Sequence, residues 1–242
     1  MAIRNDDRPV AVVTGVGRVR GIGAAVASGL RDGGWRVVTA GWRGYDQRMP
    51  WGADEVPLAD IEADLADPST AALFVGRAKE LAGPLSGLIL CHCESVDSTI
   101  VDTTVESFDR HFAINVRATW LLIKAFAEQF GGVPGTGRVV AITSDHTAFN
   151  MPYGASKAAM DRIVLAAAVE FATLGITCNV INPGATDTGW MDVSTEARVR
   201  AGNLQPRVGL PVDCAHLVRF LCSPEGQWIN GQVLHSDGGL RP

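Results

Sequence analysis

The apolar run Val10-Ala-Val-Val-Thr14 leads directly into Gly15-Val-Gly-Arg-Val-Arg-Gly-Ile-Gly23, and an alanine-rich stretch follows. This order predicts a buried strand, a tight turn and a helix. Glycines allow the sharp turn and let a pyrophosphate approach the backbone, and a helix N-terminus attracts anions through its free N–H groups. The stretch therefore predicts a dinucleotide-binding turn. Its contacts would come from Gly15, Gly17, Gly21, Ile22 and Gly23.

The spacing of this turn departs from the G-x-G-x-x-G pattern, because Arg20 stands where the third glycine would be. A glycine-rich turn with a purely structural role is therefore the alternative. The position of the turn between the first strand and the first helix favours phosphate binding.

Short apolar runs alternate with alanine-rich stretches along the rest of the chain, and continuous apolar runs are typical of strands buried on both faces. We predict strands over Val10–Thr14, Arg36–Ala40, Leu88–Cys91, Arg138–Thr143, Thr177–Ile181 and Gln232–His235, with a weaker one near Leu58–Glu62. We predict helices over Gly21–Asp32, Ser69–Leu81, Val105–Phe130, Ser156–Leu174 and Pro211–Cys222. The alternation predicts one α/β domain over residues 1–242. It is a Rossmann-type, doubly wound, seven-stranded parallel sheet with helices on both faces, in three layers.

Two segments do not fit the alternation, Gly41–Val56 and Pro183–Pro206. We predict that they are loops at the carboxyl ends of strands, where ligands bind in such folds.

Composition excludes several classes of protein. The 242 residues are 47% hydrophobic with a formal net charge of −5, which excludes disorder and argues against nucleic-acid or membrane-surface binding. The five cysteines are an odd number and most lie in apolar runs, which favours reduced thiols over disulfides. No apolar leader or membrane-length segment is present, so we expect a cytoplasmic protein. Cys91-His92-Cys93 lacks a second ligand pair at zinc-site spacing, and we predict no metal site.

The residues at the end of the second strand indicate whether the protein prefers NAD or NADP. An acidic residue there would bind the ribose 2′-OH of NAD, but this strand ends Thr39-Ala-Gly-Trp-Arg43. Arg18, Arg20 and Arg43 offer guanidinium groups for a 2′-phosphate. We expect NADP(H), with NAD(H) as the open alternative.

Tyr153 and Lys157 are four residues apart at the start of a predicted helix, so their side chains share one face. The chain has only three lysines and two tyrosines. A phenol titrates near about 10, and an adjacent ammonium lowers that pKa toward the range useful for proton transfer. Ser144 follows the preceding strand and can hydrogen-bond a carbonyl or alcohol oxygen.

With these motifs the whole chain resembles the short-chain dehydrogenase/reductases, in particular members similar to 3-oxoacyl-(acyl-carrier-protein) reductase. The resemblance implies that Tyr153 is the general acid/base, that Lys157 tunes it and holds the nicotinamide ribose, and that Ser144 orients the substrate. Asn115 would support a water in a proton relay to the lysine. The remaining implied cofactor contacts are Asp64 and Leu65 near adenine, Cys91 after the fourth strand, and Pro183, Gly184, Thr186 and Thr188 near the nicotinamide.

The chain departs from the family pattern at three places. Five residues separate Gly15 from Gly21, which lengthens the phosphate loop. Leu90-Cys-His-Cys93 replaces the N-N-A-G segment that braces the sheet, and the segment between Ser144 and Tyr153 is short.

Two residues are candidates for substrate contact. His146 lies in the short segment and Trp190 lies where the family has a mobile lid. The alternatives are a solvated or capping histidine and simple packing of the tryptophan.

We therefore predict an NADP(H)-dependent oxidoreductase that reduces a small carbonyl compound to an alcohol, or the reverse. A non-catalytic dinucleotide-binding regulatory protein is the alternative, and a dehydratase or epimerase using the same Tyr–Lys pair is a third possibility. In the family the helices corresponding to Arg117–Phe130 and Ser156–Phe171 pair between subunits, so we expect a homotetramer or homodimer.

Overall fold

A computed structural model describes residues 8–239. Within this range seven parallel strands form one sheet in the order β3-β2-β1-β4-β5-β6-β7. The strands are β1 (Val10–Thr14), β2 (Arg36–Gly41), β3 (Ile61–Glu62), β4 (Gly87–Leu90), β5 (Gly137–Ile142), β6 (Ile176–Asn182) and β7 (Val233–His235). The helices are α1 (Ile22–Asp32), α2 (Arg43–Gln47), α3 (Thr70–Ala82), α4 (Val105–His111), α5 (Thr119–Gln129), α6 (Met151–Glu170), α7 (Val193–Gly202) and α8 (Pro211–Cys222).

The strand order reverses between β1 and β4, since the chain adds β2 and β3 on one side of β1 and β4 to β7 on the other. In doubly wound sheets the ligand crevice lies at this switch point, beyond the carboxyl ends of the strands. The predicted α/β fold is confirmed.

Each face of the sheet carries its own apolar core, because successive strand residues point to opposite faces. Val12 and Leu88 pack on the face covered by α3, α5 and α6. Val13 and Ile89 pack on the face covered by α1 and α8. All four side chains are fully buried, which fixes the strand ends that carry the site.

Several predicted boundaries are wrong, for local reasons. The helix predicted from Ser156 begins at Met151, with Pro152 in its first turn, where proline needs no hydrogen-bond partner. The helix predicted over Val105–Phe130 is divided by a π-helix at Phe112–Ala118. Helices α2 and α7 lie in the two predicted loops. No residue of α7 is buried, so it lacks the apolar periodicity that identifies a helix.

Among residues 8–239 no helix has the length and apolarity needed to cross a bilayer. No three histidine, cysteine or acidic side chains in that range are grouped so that they could hold a metal ion. The prediction that the N-terminus has no apolar leader concerns residues 1–7, which lie outside the described part of the chain.

Candidate active site

Ser144, Tyr153 and Lys157 meet beyond the carboxyl end of β5. Ser144 follows that strand, and the other two lie in the first two turns of α6. The Lys157 Nζ lies 5.8 Å from the centre of the Tyr153 ring. The chain therefore brings together the three side chains that the motif spacing grouped.

Lys157 is only 2% exposed. Its ammonium donates to the backbone oxygen of Ile142 at 2.8 Å and lies 3.9 Å from the sulfur of Met160. Burial lowers the pKa of Lys157, since water no longer solvates the charge. An ammonium has three donors, and one oxygen acceptor leaves capacity for hydroxyl groups of a ligand.

The phenol of Tyr153 is held protonated in the ligand-free protein. Burial raises its pKa above the ordinary value, and the hydrogen bond with Ser144 lowers it by less. The expected net lowering of the Tyr153 pKa is therefore wrong for the ligand-free protein, although a neighbouring ammonium by itself favours the phenolate. The physical reason is that removal of the phenolate from water outweighs the charges around it.

Asn115 lies in the π-helix and is fully buried. Its side-chain oxygen accepts from the Glu94 backbone N–H at 2.8 Å, and its amide nitrogen donates to the Glu94 carbonyl at 2.9 Å and to Ser156 Oγ at 2.8 Å. Both amide hydrogens are used, so the side chain joins the end of β4 to α6. These contacts fit a positioning role for Asn115 beside the helix that carries Tyr153 and Lys157, and its support of a relay water stays a prediction.

His92 fills the space where the family pattern has a small residue. Its buried ring lies between Thr14, at 2.7 Å from Nδ1, and Thr119, at 3.4 Å from Nε2. Burial, with a smaller effect from Lys157, lowers its pKa from 6.5 to about 3. A neutral imidazole therefore ties β1 to α5, which is the bracing role implied for this segment.

We expect His92 to make the fold sensitive to acid. Between pH 6.5 and about 3 the unfolded chain binds a proton at this position and the native protein does not, so stability falls as the pH falls. The free energy of unfolding should lose about 1 kcal/mol per pH unit in this window from His92 alone. Urea unfolding at several pH values measures the slope. His92→Gln should reduce it and the exposed His216→Gln should not. Equal slopes in the two variants would contradict the assignment.

The phosphate loop has the close backbone contacts that require glycine. Gly15 has φ +74°, and a Cβ there would lie 2.4 Å from the backbone of Cys91. A Cβ on Gly23 would lie 2.6 Å from the Gly15 oxygen. Helix α1 begins after Gly21 with no side-chain cap and no acidic residue in its first turn. Its N-terminal N–H groups therefore fit an anionic pyrophosphate.

The three arginines predicted to meet a 2′-phosphate have separate surroundings. Arg43 donates through Nη2 to the Asp54 backbone oxygen at 2.8 Å, while its buried Nε has no hydrogen-bond partner. Arg20 pairs with Asp187 at 3.0 Å. Arg18 pairs with Asp46, also at 3.0 Å. Of the three, Arg43 is the one that follows β2, where a 2′-phosphate is expected.

The adenine end of the groove is rich in charge. Asp64 is paired with Arg110 at 3.0 Å, and the guanidinium of Arg110 lies 4.9 Å from the centre of the Trp42 ring. Glu94 is almost fully buried and forms ion pairs with Arg48 and Arg110. The Asp64 carboxylate, which is expected to contact adenine, is therefore already paired with Arg110. Leu65, the other residue expected there, is buried in the core.

The segment after β6 forms a compact turn next to the phosphate loop. Gly184 has φ +61°, and a Cβ there would lie 2.5 Å from Cβ of Asp237. Thr186 donates through Oγ1 to the Pro183 oxygen at 3.2 Å, and its own carbonyl accepts from Trp190 Nε1 at 3.2 Å. Trp190 is still 49% exposed.

The short segment between Ser144 and Tyr153 crosses the start of α6. A Cβ on Gly154 would lie 1.9 Å from the His146 backbone oxygen. The exposed His146 ring lies 6.5 Å from the Tyr153 ring. Phe149, also exposed, has φ +64°, a strained conformation for a bulky residue.

Comparison with known proteins gives the family. A family model described as enoyl-(acyl carrier protein) reductase matches residues 15–241. The uncharacterized oxidoreductase YjdA of Bacillus subtilis (strain 168) is 30% identical over 241 residues, covering 96% of each chain. The chain belongs to the short-chain dehydrogenase/reductase family.

Two further short-chain dehydrogenase/reductase comparisons cover nearly the whole chain. Versicolorin reductase stcU of Emericella nidulans is 33% identical over 262 residues, covering 96% of each chain. A short chain dehydrogenase from Burkholderia cenocepacia J2315, crystallised in complex with NADP, is 29% identical with a TM-score of 0.80. That comparison covers 98% of this chain and 99% of the other. The family assignment makes the protein an oxidoreductase.

Sequence reasoning missed several groups that line this short-chain dehydrogenase/reductase site. Asp46 and Trp51, in the segment after β2, contact Arg18 of the phosphate loop. Glu94 forms ion pairs with Arg48 and Arg110. The only signal in the sequence was the unusual content of aromatic and charged residues in that segment.

Proposed function

We propose that this protein reduces a carbonyl compound to an alcohol with NADPH, or catalyses the reverse reaction, and that Tyr153 is its general acid/base. The observation that carries the proposal is the meeting of Tyr153, Ser144 and Lys157 beyond the carboxyl end of β5, where burial favours the protonated phenol. A protonated phenol at neutral pH is the form that donates a proton to a carbonyl oxygen.

The residues at the strand ends fit a dinucleotide. The uncapped N-terminus of α1 and the glycines of the phosphate loop suit the pyrophosphate, and Lys157 has donors to spare for ribose hydroxyls. Arg43 has a buried Nε without a partner at the end of β2, which suits a 2′-phosphate. A structural relative of this chain was crystallised with NADP. We therefore favour NADP(H) over NAD(H).

Ser144 and Tyr153 divide the work at the substrate oxygen. Bound NADPH would supply a hydride to the carbonyl carbon. The Ser144 hydroxyl orients the oxygen, and the Tyr153 phenol gives it a proton, so the carbonyl becomes an alcohol. Lys157 holds a positive charge near the phenol and favours the phenolate that remains.

The mouth of the site suggests an apolar substrate. Phe149 and Trp190 are large, exposed apolar side chains. Phe149 lies in the short segment before Tyr153, and Trp190 lies in the segment after β6. Exposed aromatic rings on segments that follow the strands carrying the site favour a ketone with an apolar or aromatic body. His146, whose ring lies 6.5 Å from the Tyr153 ring, adds a polar group to this side.

Oxidation of NADPH by the purified protein tests the proposed reaction. A panel of aliphatic, aromatic and 3-oxoacyl ketones is added, and the cofactor carries deuterium at the transferred position. We expect consumption of NADPH with at least one aromatic ketone and deuterium in the alcohol product. Binding of NADPH without oxidation across the panel would favour the regulatory alternative, and turnover without net label transfer would favour a dehydratase or epimerase.

We also propose that the protein is a homo-oligomer. Trp120 on α5 is 50% exposed and borders an apolar depression with Phe112, Val116 and Ile163. Such a surface is typical of an interface, and it lies on the helices that the family resemblance pairs between subunits. Sedimentation velocity should give a dimer or tetramer, and a monomer at micromolar concentration would contradict the proposal.

A further inference from the structure

Arg18 of the phosphate loop contacts the segments that follow two other strands. Its Nε lies 3.0 Å from Asp46 Oδ1, in the segment after β2. Its Nη1 donates to the Thr188 backbone oxygen at 2.8 Å, in the segment after β6. The guanidinium lies 4.9 Å from the centre of the Trp51 ring, and the Arg18 side chain is only 16% exposed.

The contact with Thr188 spans the carboxyl edge of the sheet. Strand β6 is three places from β1, with β4 and β5 between them. Neighbouring strands are about 4.8 Å apart, so the two strand ends are separated by about 14 Å. The segment after β6 therefore reaches back over the ends of β4 and β5, where a dinucleotide would lie, and Arg18 meets it on the far side.

The opposite anchor of Arg18 is rigid. Asp46 is buried and its Oδ1 also accepts from Trp51 Nε1 at 2.9 Å. Its other carboxylate oxygen lies so near Gly17 that a Cβ there would be 2.3 Å away. The backbone N–H of Val19 donates to Asp54 at 2.6 Å, which is a second tie between the phosphate loop and the segment after β2. The contact with Asp46 thus fixes the Arg18 guanidinium while its Nη1 holds the Thr188 backbone oxygen.

We propose that Arg18 is a positioning residue that keeps the turn 187–190 closed over the dinucleotide groove and retains NADPH and NADH equally. The inference rests on the proposed function only in taking this groove as the cofactor site. It differs from the expectation that Arg18 binds the 2′-phosphate. Nε and Nη1 of Arg18 are already bound to protein oxygens, whereas the buried Nε of Arg43 has no hydrogen-bond partner.

A second contact supports closure at the same place. Arg20 pairs with Asp187 at 3.0 Å, and Cζ of Arg20 lies 3.4 Å from the position of a Cβ on Gly189. This pair is largely exposed, with 66% of the Arg20 side chain accessible. Exposed pairs contribute little, so the largely buried contacts of Arg18 should carry most of the effect.

Arg18→Ala tests the proposal through two measurements. The first is the dissociation rate of NADPH and of NADH, followed by stopped-flow fluorescence. A lost charge-assisted hydrogen bond should raise both rates about ten- to a hundredfold, by the same factor. The second is amide hydrogen exchange over residues 185–192 in the cofactor-free protein, which should become faster in the variant. The matched control is Arg200→Ala, which removes an exposed pair with Glu196 on α7 in the same segment and should change neither measurement.

The outcomes separate the alternatives. Faster release of NADPH with unchanged release of NADH would identify Arg18 as a 2′-phosphate ligand and overturn the proposal. Unchanged release of both would overturn it as well. If Arg18→Ala does not fold, Arg18→Lys retains the charge but not the planar fork, and it should show most of the effect. If the wild-type protein binds neither nucleotide, the proposed function fails. Hydrogen exchange then still decides whether Arg18 holds the turn.

Discussion

Tyr153→Phe is expected to lower kcat for ketone reduction about 10²- to 10⁴-fold, the usual contribution of a positioned general acid. The change removes one hydroxyl and leaves the ring in place beside Lys157, so the dissociation constant for NADPH should be nearly unchanged. Steady-state kinetics with the best ketone and a fluorescence titration with NADPH measure the two quantities.

The other tyrosine supplies a matched control for this variant. Tyr45 donates to the Ser95 backbone oxygen at 3.1 Å and takes no part in the proposed proton transfer. Tyr45→Phe should therefore retain turnover. Because burial raises the pKa of Tyr153, kcat/KM for reduction should not fall across neutral pH through loss of the phenol proton. Full turnover by Tyr153→Phe would show that another group donates the proton.

Lys157→Met is expected to have opposite effects on activity and stability. Turnover should fall about 100-fold or more, because the charge that favours the phenolate and the donors facing the ligand are both lost. The thermal midpoint should stay within a few degrees of the wild type or rise. A buried ammonium with one oxygen acceptor has lost solvation that a methionine does not need.

Lys124→Met is the control for a lysine on the surface. Lys124 is exposed on α5 and lies 3.8 Å from Glu128, so its replacement should alter neither turnover nor the midpoint by much. A large drop in the midpoint of Lys157→Met with retained activity would assign this lysine to the architecture of the fold instead of to the reaction.

Local patterns predicted the parts of this molecule that depend on local geometry. The alternation of apolar runs gave the strand positions, since strands buried on both faces are continuously apolar. The spacing of Tyr153 and Lys157 placed both on one face of α6, and the glycines of the phosphate loop are where the backbone contacts require them.

Features that depend on distant contacts were not predictable in the same way. Asp46 reaches the phosphate loop only because its segment turns back after β2. Arg110 meets Glu94 only when α4 lies beside the segment after β4. The pKa of Tyr153 also depends on burial by the whole fold, which the spacing to Lys157 does not reveal. Helix α7 buries none of its residues, so no apolar face distinguishes it from a loop.

The crossing of the short segment over α6 links two positions that would otherwise vary freely. The His146 carbonyl rests where any side chain at position 154 would begin. A homologue or an engineered variant can therefore acquire a larger residue at 154 only if the segment between the serine and the tyrosine is lengthened at the same time. Efforts to widen the substrate entrance should insert residues there first and diversify position 154 afterwards.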